Sequence, residues 1–237
     1  MQTKGTRWAL LLGAAMLGLM VFASVAAAFP LRSTQVAFNN ASLQGYLNAN
    51  DGGINTLTDQ LDAQVWASSV SGNATFTLQI ELAGNAAANN IGVYNAGGGP
   101  APPLYLLFPG AASAGWFATC HFASTGILTV LLFDNNAVFQ GSTSYAGVDR
   151  NNFGFYLQGP GGLFFSQDGR NPGSNPQVLT YAGTGNNFGD WWECFEDSPF
   201  TAGGSVTDFD DAILLLQSVV PTPTHGTSWG QLKKLYR

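Results

Sequence analysis

Apolar and polar residues alternate with a period of two along residues 74–82, where Phe76, Leu78, Ile80 and Leu82 interleave with Thr75, Thr77, Gln79 and Glu81. That period turns one face of an extended segment toward a core and the other toward water, so it predicts a strand. Shorter apolar runs at 35–38, 61–66, 91–94, 104–108, 115–122, 127–133, 137–140, 153–157, 163–166, 178–181 and 212–220 read the same way. Turn-forming clusters separate them, among them Asn50-Asp51-Gly52-Gly53, Asp134-Asn135-Asn136 and Gly159-Pro160-Gly161-Gly162. No segment shows a convincing amphipathic helix. The pattern predicts an all-β fold, a single antiparallel β-sandwich or jelly-roll-like domain over residues 29–220.

The two ends depart from this pattern. Residues 1–28 run from a positive start (Lys4, Arg7) through an apolar stretch to Ala26-Ala27-Ala28, the order of an export signal with a cleavage site. Uncleaved, the same stretch is about long enough to anchor in a bilayer. Both readings place the body outside the cytoplasm, at the cell surface or beyond. Residues 221–228 have the Pro/Thr composition of a linker. The last segment, 229–237, spaces Trp229, Leu232, Leu235 and Tyr236 among Lys233, Lys234 and Arg237 as a short basic amphipathic tail.

Composition narrows the classes. Of 237 residues, 46% are hydrophobic and only 9% charged, with 30 glycines, which fits a β-rich globular chain and argues against a helical bundle. Between Arg32 and Lys233 the only cations are Arg150 and Arg170 against all 14 acids, a net of −12. A binder that neutralises nucleic-acid phosphates is excluded on that balance. Cys120 and Cys194 are the two cysteines; in an oxidising compartment they are candidates for one disulfide, and otherwise for two buried thiols.

Seven acids fall within residues 190–211: Asp190, Glu193, Glu196, Asp197, Asp208, Asp210 and Asp211. Crowded carboxylates repel unless something compensates, and a hard divalent cation such as Ca²⁺ takes six to eight oxygens in irregular geometry. Glu196 and Asp197 at a strand end, facing Asp208, Asp210 and Asp211 at the start of the next strand, are the candidate metal ligands. In extended chain Asp208 and Asp210 share a face, whereas Asp211 points away unless the backbone bulges. The spacing does not fit the helical calcium loop.

Three stretches resemble a known group. They are Ala88-Asn89-Asn90-Ile91-Gly92-Val93-Tyr94-Asn95; Phe153-Gly154-Phe155-Tyr156-Leu157 with Asp168-Gly169-Arg170-Asn171 and Gln177-Val178-Leu179-Thr180-Tyr181; and Phe195-Glu196-Asp197 with Asp208-Phe209-Asp210-Asp211. Together they resemble a secreted bacterial β-rich domain of unknown function found in exported proteins of the PEP-CTERM type. The resemblance implies a β-sandwich and a metal-associated acidic motif at Glu196, Asp197, Asp208 and Asp211, with no established enzyme activity. Asp210 stands where Asn is expected, Gln177 where His is usual, and Ser205-Val206-Thr207 lengthens the loop before Asp208. No Pro-Glu-Pro followed by an apolar helix occurs in the chain.

The expected function is therefore a noncatalytic exported domain with a structural calcium site, a surface, matrix or filament component with extracellular polysaccharide or its own copies as partners. A carbohydrate-binding module would need an aromatic platform, for which Trp66, Trp116 and Trp191 are the candidates. A glycoside hydrolase would need two carboxylates about 5 to 9 Å apart, drawn from Glu193, Glu196 and Glu81. His121 beside Cys120 on a strand makes a poor nucleophile–base pair, because neighbours there face opposite ways.

Overall fold

The computed structural model describes residues 29–81, 86–200 and 207–223. Residues 1–28, read from sequence as an export signal, residues 224–228 of the expected linker and the tail 229–237 lie outside the described residues. Within them the apolar runs become thirteen strands: β1 (Ala63–Ser68), β2 (Asn73–Glu81), β3 (Asn90–Asn95), β4 (Leu104–Phe108), β5 (Phe117–Phe122), β6 (Ile127–Phe133), β7 (Phe139–Ala146), β8 (Phe153–Gly159), β9 (Gly162–Phe165), β10 (Val178–Ala182), β11 (Trp191–Phe195), β12 (Ala212–Gln217) and β13 (Val219–Pro223).

They form two antiparallel sheets packed face to face. The first has the order β13-β1-β8-β3-β4, with β9 paired to β8; the second has the order β10-β11-β12-β2-β5-β6-β7. The core between them is aromatic and fully buried, with Trp66, Phe76, Phe153, Phe155 and Phe195 at its centre. Phe76 meets Phe155 edge to face at 5.3 Å, which joins β2 to β8 across the interface. This is the predicted β-sandwich.

Residues 212–220, read from sequence as one strand, are two. Ser218 takes a left-handed conformation (φ 61) between β12 in the second sheet and β13 in the first, so the chain changes layers at one residue. Pro221–Pro223, read as the start of a linker, are the end of β13, on the outside of β1, where proline costs no ladder bond. Residues 35–38 form no strand.

The alternation in β2 also breaks. Ile213 pairs with Ile80 but Leu214 pairs with Leu78, so Gln79 bulges out of the ladder. Phe76 and Leu78 therefore enter the inter-sheet core, while Ile80 turns to the opposite face. There a second core forms outside the sandwich. Helix α1 (Ala41–Asp51) lays Leu43 and Leu47 against Trp192, Cys194, Ile213 and Leu215. Eleven residues are too few for a stable helix in water, so this packing holds it. The helix was not expected from sequence: its stripe is only Leu43, Tyr46 and Leu47 in a polar background.

The helix ends on a carboxylate clamp. Asp51 accepts bonds from the Trp192 indole (2.6 Å), the Thr184 amide (2.8 and 3.0 Å) and the Thr184 hydroxyl (2.6 Å), tying α1 to β11 and to the loop after β10. We expect Asp51→Ala to destabilise the protein by about 3 kcal/mol in chemical denaturation, because it strands buried donors. A loss under about 0.5 kcal/mol, the scale of an ordinary surface substitution, would refute the clamp.

Of the two readings left open for the cysteines, the structure takes the buried thiols and not the disulfide. Cys120 and Cys194 are both free and buried. β12 and β2 separate their strands, and Cys120 faces the inter-sheet core while Cys194 faces α1. A bridge would have to pass through the sheet. The unreduced protein should release two reactive thiols on denaturation, counted with a thiol reagent, and none would contradict this placement.

Candidate metal centre

β11 carries Phe195 into the inter-sheet core and ends there, so Glu196 and Asp197 emerge at the rim of the sandwich. β12 starts at Ala212, paired with Phe195, which brings residues 208–211 beside them. Between the two, Phe209 is fully buried in the second core, 5.1 Å from Phe38 edge to face, and adopts φ 55. A left-handed phenylalanine costs about 1–3 kcal/mol, here set against burial of its ring. The bend it makes replaces the extended geometry expected from sequence. Asp208, Asp210 and Asp211 converge instead of alternating.

The result is two overlapping carboxylate groups. Oxygens of Glu196, Asp197 and Asp211 lie within 4.8 Å of one another, as do oxygens of Asp208, Asp210 and Asp211. Asp211 belongs to both. All five predicted metal ligands are thus brought together, including Asp211, which strand geometry had pointed away.

The backbone stitches the rim. Glu196 accepts from the Ser198 amide (3.2 Å) and the Asp208 amide (3.1 Å), and Asp211 accepts from the Asp197 amide (2.8 Å). Gln177, fully enclosed, donates to Glu196 O (3.2 Å) and Ser198 O (2.7 Å) and accepts from the Phe200 amide (2.6 Å). It braces the loop after β11.

One further residue was missed. Asn89, buried just before β3, donates to Asp197 Oδ2 at 3.0 Å, while its own Oδ1 is buried with no hydrogen-bond partner. The turn 159–162 presses on the same place: a side chain at Gly159 would strike Asn89, and one at Gly161 would strike Asp197 O. Asn89 lies 108 positions from Asp197, so no local spacing signals the pair.

Electrostatics register the crowding. Burial first, then the Asp211 charge, pushes the Glu196 carboxyl up to about 8. Burial, then Asp210, lifts Asp208 to about 6. Burial raises Asp211 to about 6 against the Asp197 amide bond, with Asp197, Asp208 and Asp210 adding to the rise. Among the described residues the only ion pair is Arg32–Asp168 (2.6 Å), so no described cation is paired with Glu196, Asp208, Asp210 or Asp211.

Other candidates are dispersed. Trp66 is fully buried, its indole donating to Glu193 at 2.8 Å; Trp191 is half-buried against Trp66 and donates to Val219 O at 3.1 Å. Trp116 is half-buried against the core elsewhere. The three make no shared platform, because core packing has claimed their faces. Glu193 is fully buried between the sheets, which keeps it from any substrate; burial lifts its carboxyl to about 8. The side chain of Glu81 lies outside the described residues. His121 bonds Asn73 Oδ1 (2.8 Å) in solvent, while Cys120 points inward. Compared with known protein families, curated proteins and solved structures, the chain has no match in any of the three.

A pH dependence follows. Glu193, Glu196, Asp208 and Asp211 all titrate higher when folded than the unfolded value near 4, so between about pH 4 and 8 the folded state holds more protons. Their contribution to stability is full at the acid end and is lost as pH rises through 6 and 8. Metal-free protein should melt several degrees lower at pH 8 than at pH 5.5, and Asp211→Asn should recover part of the difference. A midpoint that climbs with pH, unaltered in Asp211→Asn, would contradict the crowding.

Proposed function

We propose that the chain is a noncatalytic exported domain that binds Ca²⁺ at this rim as a structural element, and that it serves in a cell surface, matrix or filament. Glu196, Asp197, Asp208, Asp210 and Asp211 would supply the carboxylates, with the Asn89 amide oxygen as a neutral ligand. The observation that carries this reading is the convergence on Asp211 of two carboxylate groups drawn from both sides of one loop. The chemistry of the donor set fits a hard cation: it is all oxygen, mostly anionic, and irregular. The orphaned Asn89 Oδ1 supports it, since an amide turned about its last bond offers that oxygen to an ion beside Asp197. The resemblance of the Phe195-Glu196-Asp197 and Asp208-Phe209-Asp210-Asp211 stretches to exported domains with a metal-associated acidic motif points the same way. An ion here would replace protons as the partner of the carboxylates and join β11 to β12 across the loop. Outside the cell, where calcium is abundant, even a weak site fills, and the ion then holds the rim closed.

Calorimetric titration with CaCl₂ and melting with and without chelator at pH 7.5 test it. At calcium about 100-fold above Kd the gain is about 2.7 kcal/mol, a rise of several degrees in Tm. Asp211→Asn should abolish the calcium response, and Asn89→Ala should weaken affinity about tenfold. No binding heat and an unchanged Tm in the parent protein would end the proposal.

A further inference from the structure

Among the described residues, all the sheet edges but one are closed by an identifiable device. β13 carries Pro221 and Pro223, which have no amide hydrogen. β4 lies between Pro103 and Pro109, and the Tyr145 hydroxyl donates to its Leu106 O at 3.2 Å. At β9 the Asn171 side chain accepts from the Phe165 amide (2.8 Å) and donates to Phe165 O (2.9 Å), standing in for a neighbouring strand. On β10 the outward carbonyls are taken by the Leu61 amide on Thr180 O (2.9 Å) and by the Arg32 guanidinium on Val178 O (3.2 Å).

β7 has no such device. It pairs with β6 on one side, and among the described residues nothing bonds the backbone on its other side. Its eight residues, Phe-Gln-Gly-Ser-Thr-Ser-Tyr-Ala, include no charge and no proline. Gln140 is bulged out, after which the register with β6 runs unbroken through residues 141–146. Beside it, Phe139 and Val138 are each 55% exposed. Phe139 packs on Phe133 at 5.7 Å, and Phe133 stacks on Phe117 at 5.0 Å, an apolar ladder across three strands.

Charge selects the occupant. Over most of the surface a body of net −12 repels its own copies, but residues 113–148, which include β5, β6 and β7, hold Asp134 as their one charged side chain. A second copy paired here meets no charged side chain on the strand itself. We propose that residues 141–145 of β7 pair antiparallel with the same residues of a second copy about a twofold axis at Thr143, making one continuous sheet from both. Antiparallel pairing is self-complementary, so a single strand satisfies both sides of the interface. Centred on Thr143, it sets Ser142 of one copy opposite Ser144 of the other. Five paired residues and the Phe139 rings bury less than the roughly 1,600 Å² of a standard interface, so the dimer is weak and concentration-dependent. The pairing makes no use of the metal centre.

Sedimentation equilibrium of the exported protein across micromolar to millimolar concentration, with chelator, reads the dimer. Hydrogen exchange at both extremes should show amide protection rising with concentration in β7 and in no other strand. Ser142→Lys with Ser144→Lys places lysines opposite lysines and should weaken dimerisation at least about tenfold without lowering Tm. Mixing that variant with Ser142→Glu/Ser144→Glu should restore a heterodimer. A monomer at every concentration, or a dimer indifferent to the lysines and protected elsewhere, would overturn the proposal. If the lysines disturb folding, exchange in the unsubstituted protein still decides.

Discussion

The outer face of β11 and β12 cannot face water, and much of the molecule is arranged around that constraint. In a two-layer sandwich outward positions are ordinarily polar. Here Trp192, Cys194, Ile213 and Leu215 point outward and are buried. Helix α1 covers part of this face, and Ile54, Phe38, Phe200 and Phe209 join the same cluster, Phe209 at the cost of a left-handed backbone. The carboxylates on either side of Phe209 are drawn together by that apolar anchor, not by any affinity for one another. Two like charges 4 Å apart repel by about 4 kcal/mol at an effective dielectric near 20. Burying one aromatic ring stabilises by only about 1.5–3 kcal/mol. The anchor therefore holds the cluster only if the charge is reduced, and the raised affinities of Glu196, Asp208 and Asp211 for protons are the fold's answer when protons are the cation to hand.

Asp51 shows what a finished carboxylate looks like in the same molecule. Both of its oxygens accept from the protein, through the Trp192 indole and the Thr184 amide and hydroxyl. At the rim, Glu196 and Asp211 receive backbone amides while lying within 4.8 Å of further carboxylate oxygens. The amides position the oxygens but do not neutralise them. This contrast separates a carboxylate whose oxygens are satisfied by hydrogen bonds from carboxylates that also face one another.

Most strands were legible because β structure writes itself as alternation and turn chemistry, which need only neighbours in sequence. Three features were not. The bulge at Gln79 leaves no trace in the run Phe76, Leu78, Ile80, since an inserted residue changes which face a side chain takes without changing the pattern. Helix α1 carries too few apolar residues to declare itself; what makes it a helix is the face of β11 and β12 that it covers. Whether the cysteines pair was open for a related reason: parity along one strand says nothing of the face reached on another three strands away. At the rim, the five acids were visible as a cluster, but Asp211 joined them only through the turn at Phe209, and Asn89 only through the tertiary fold.

Charge and edge are segregated across the second sheet. The acidic rim lies at β11 and β12, and the unpaired strand β7 is four strand spacings from β12, about 19 Å at the usual separation. The screening length at physiological ionic strength is about 8 Å, so the field of the rim has largely decayed at β7. The proposed ion site and the proposed pairing edge are then electrostatically independent. Filling the rim with a divalent cation changes the net charge of the body and its long-range repulsion, but it leaves the hydrogen-bonding groups of β7 as they were. Calcium dependence and self-association are therefore separable, and a substitution in one should leave the intrinsic strength of the other intact.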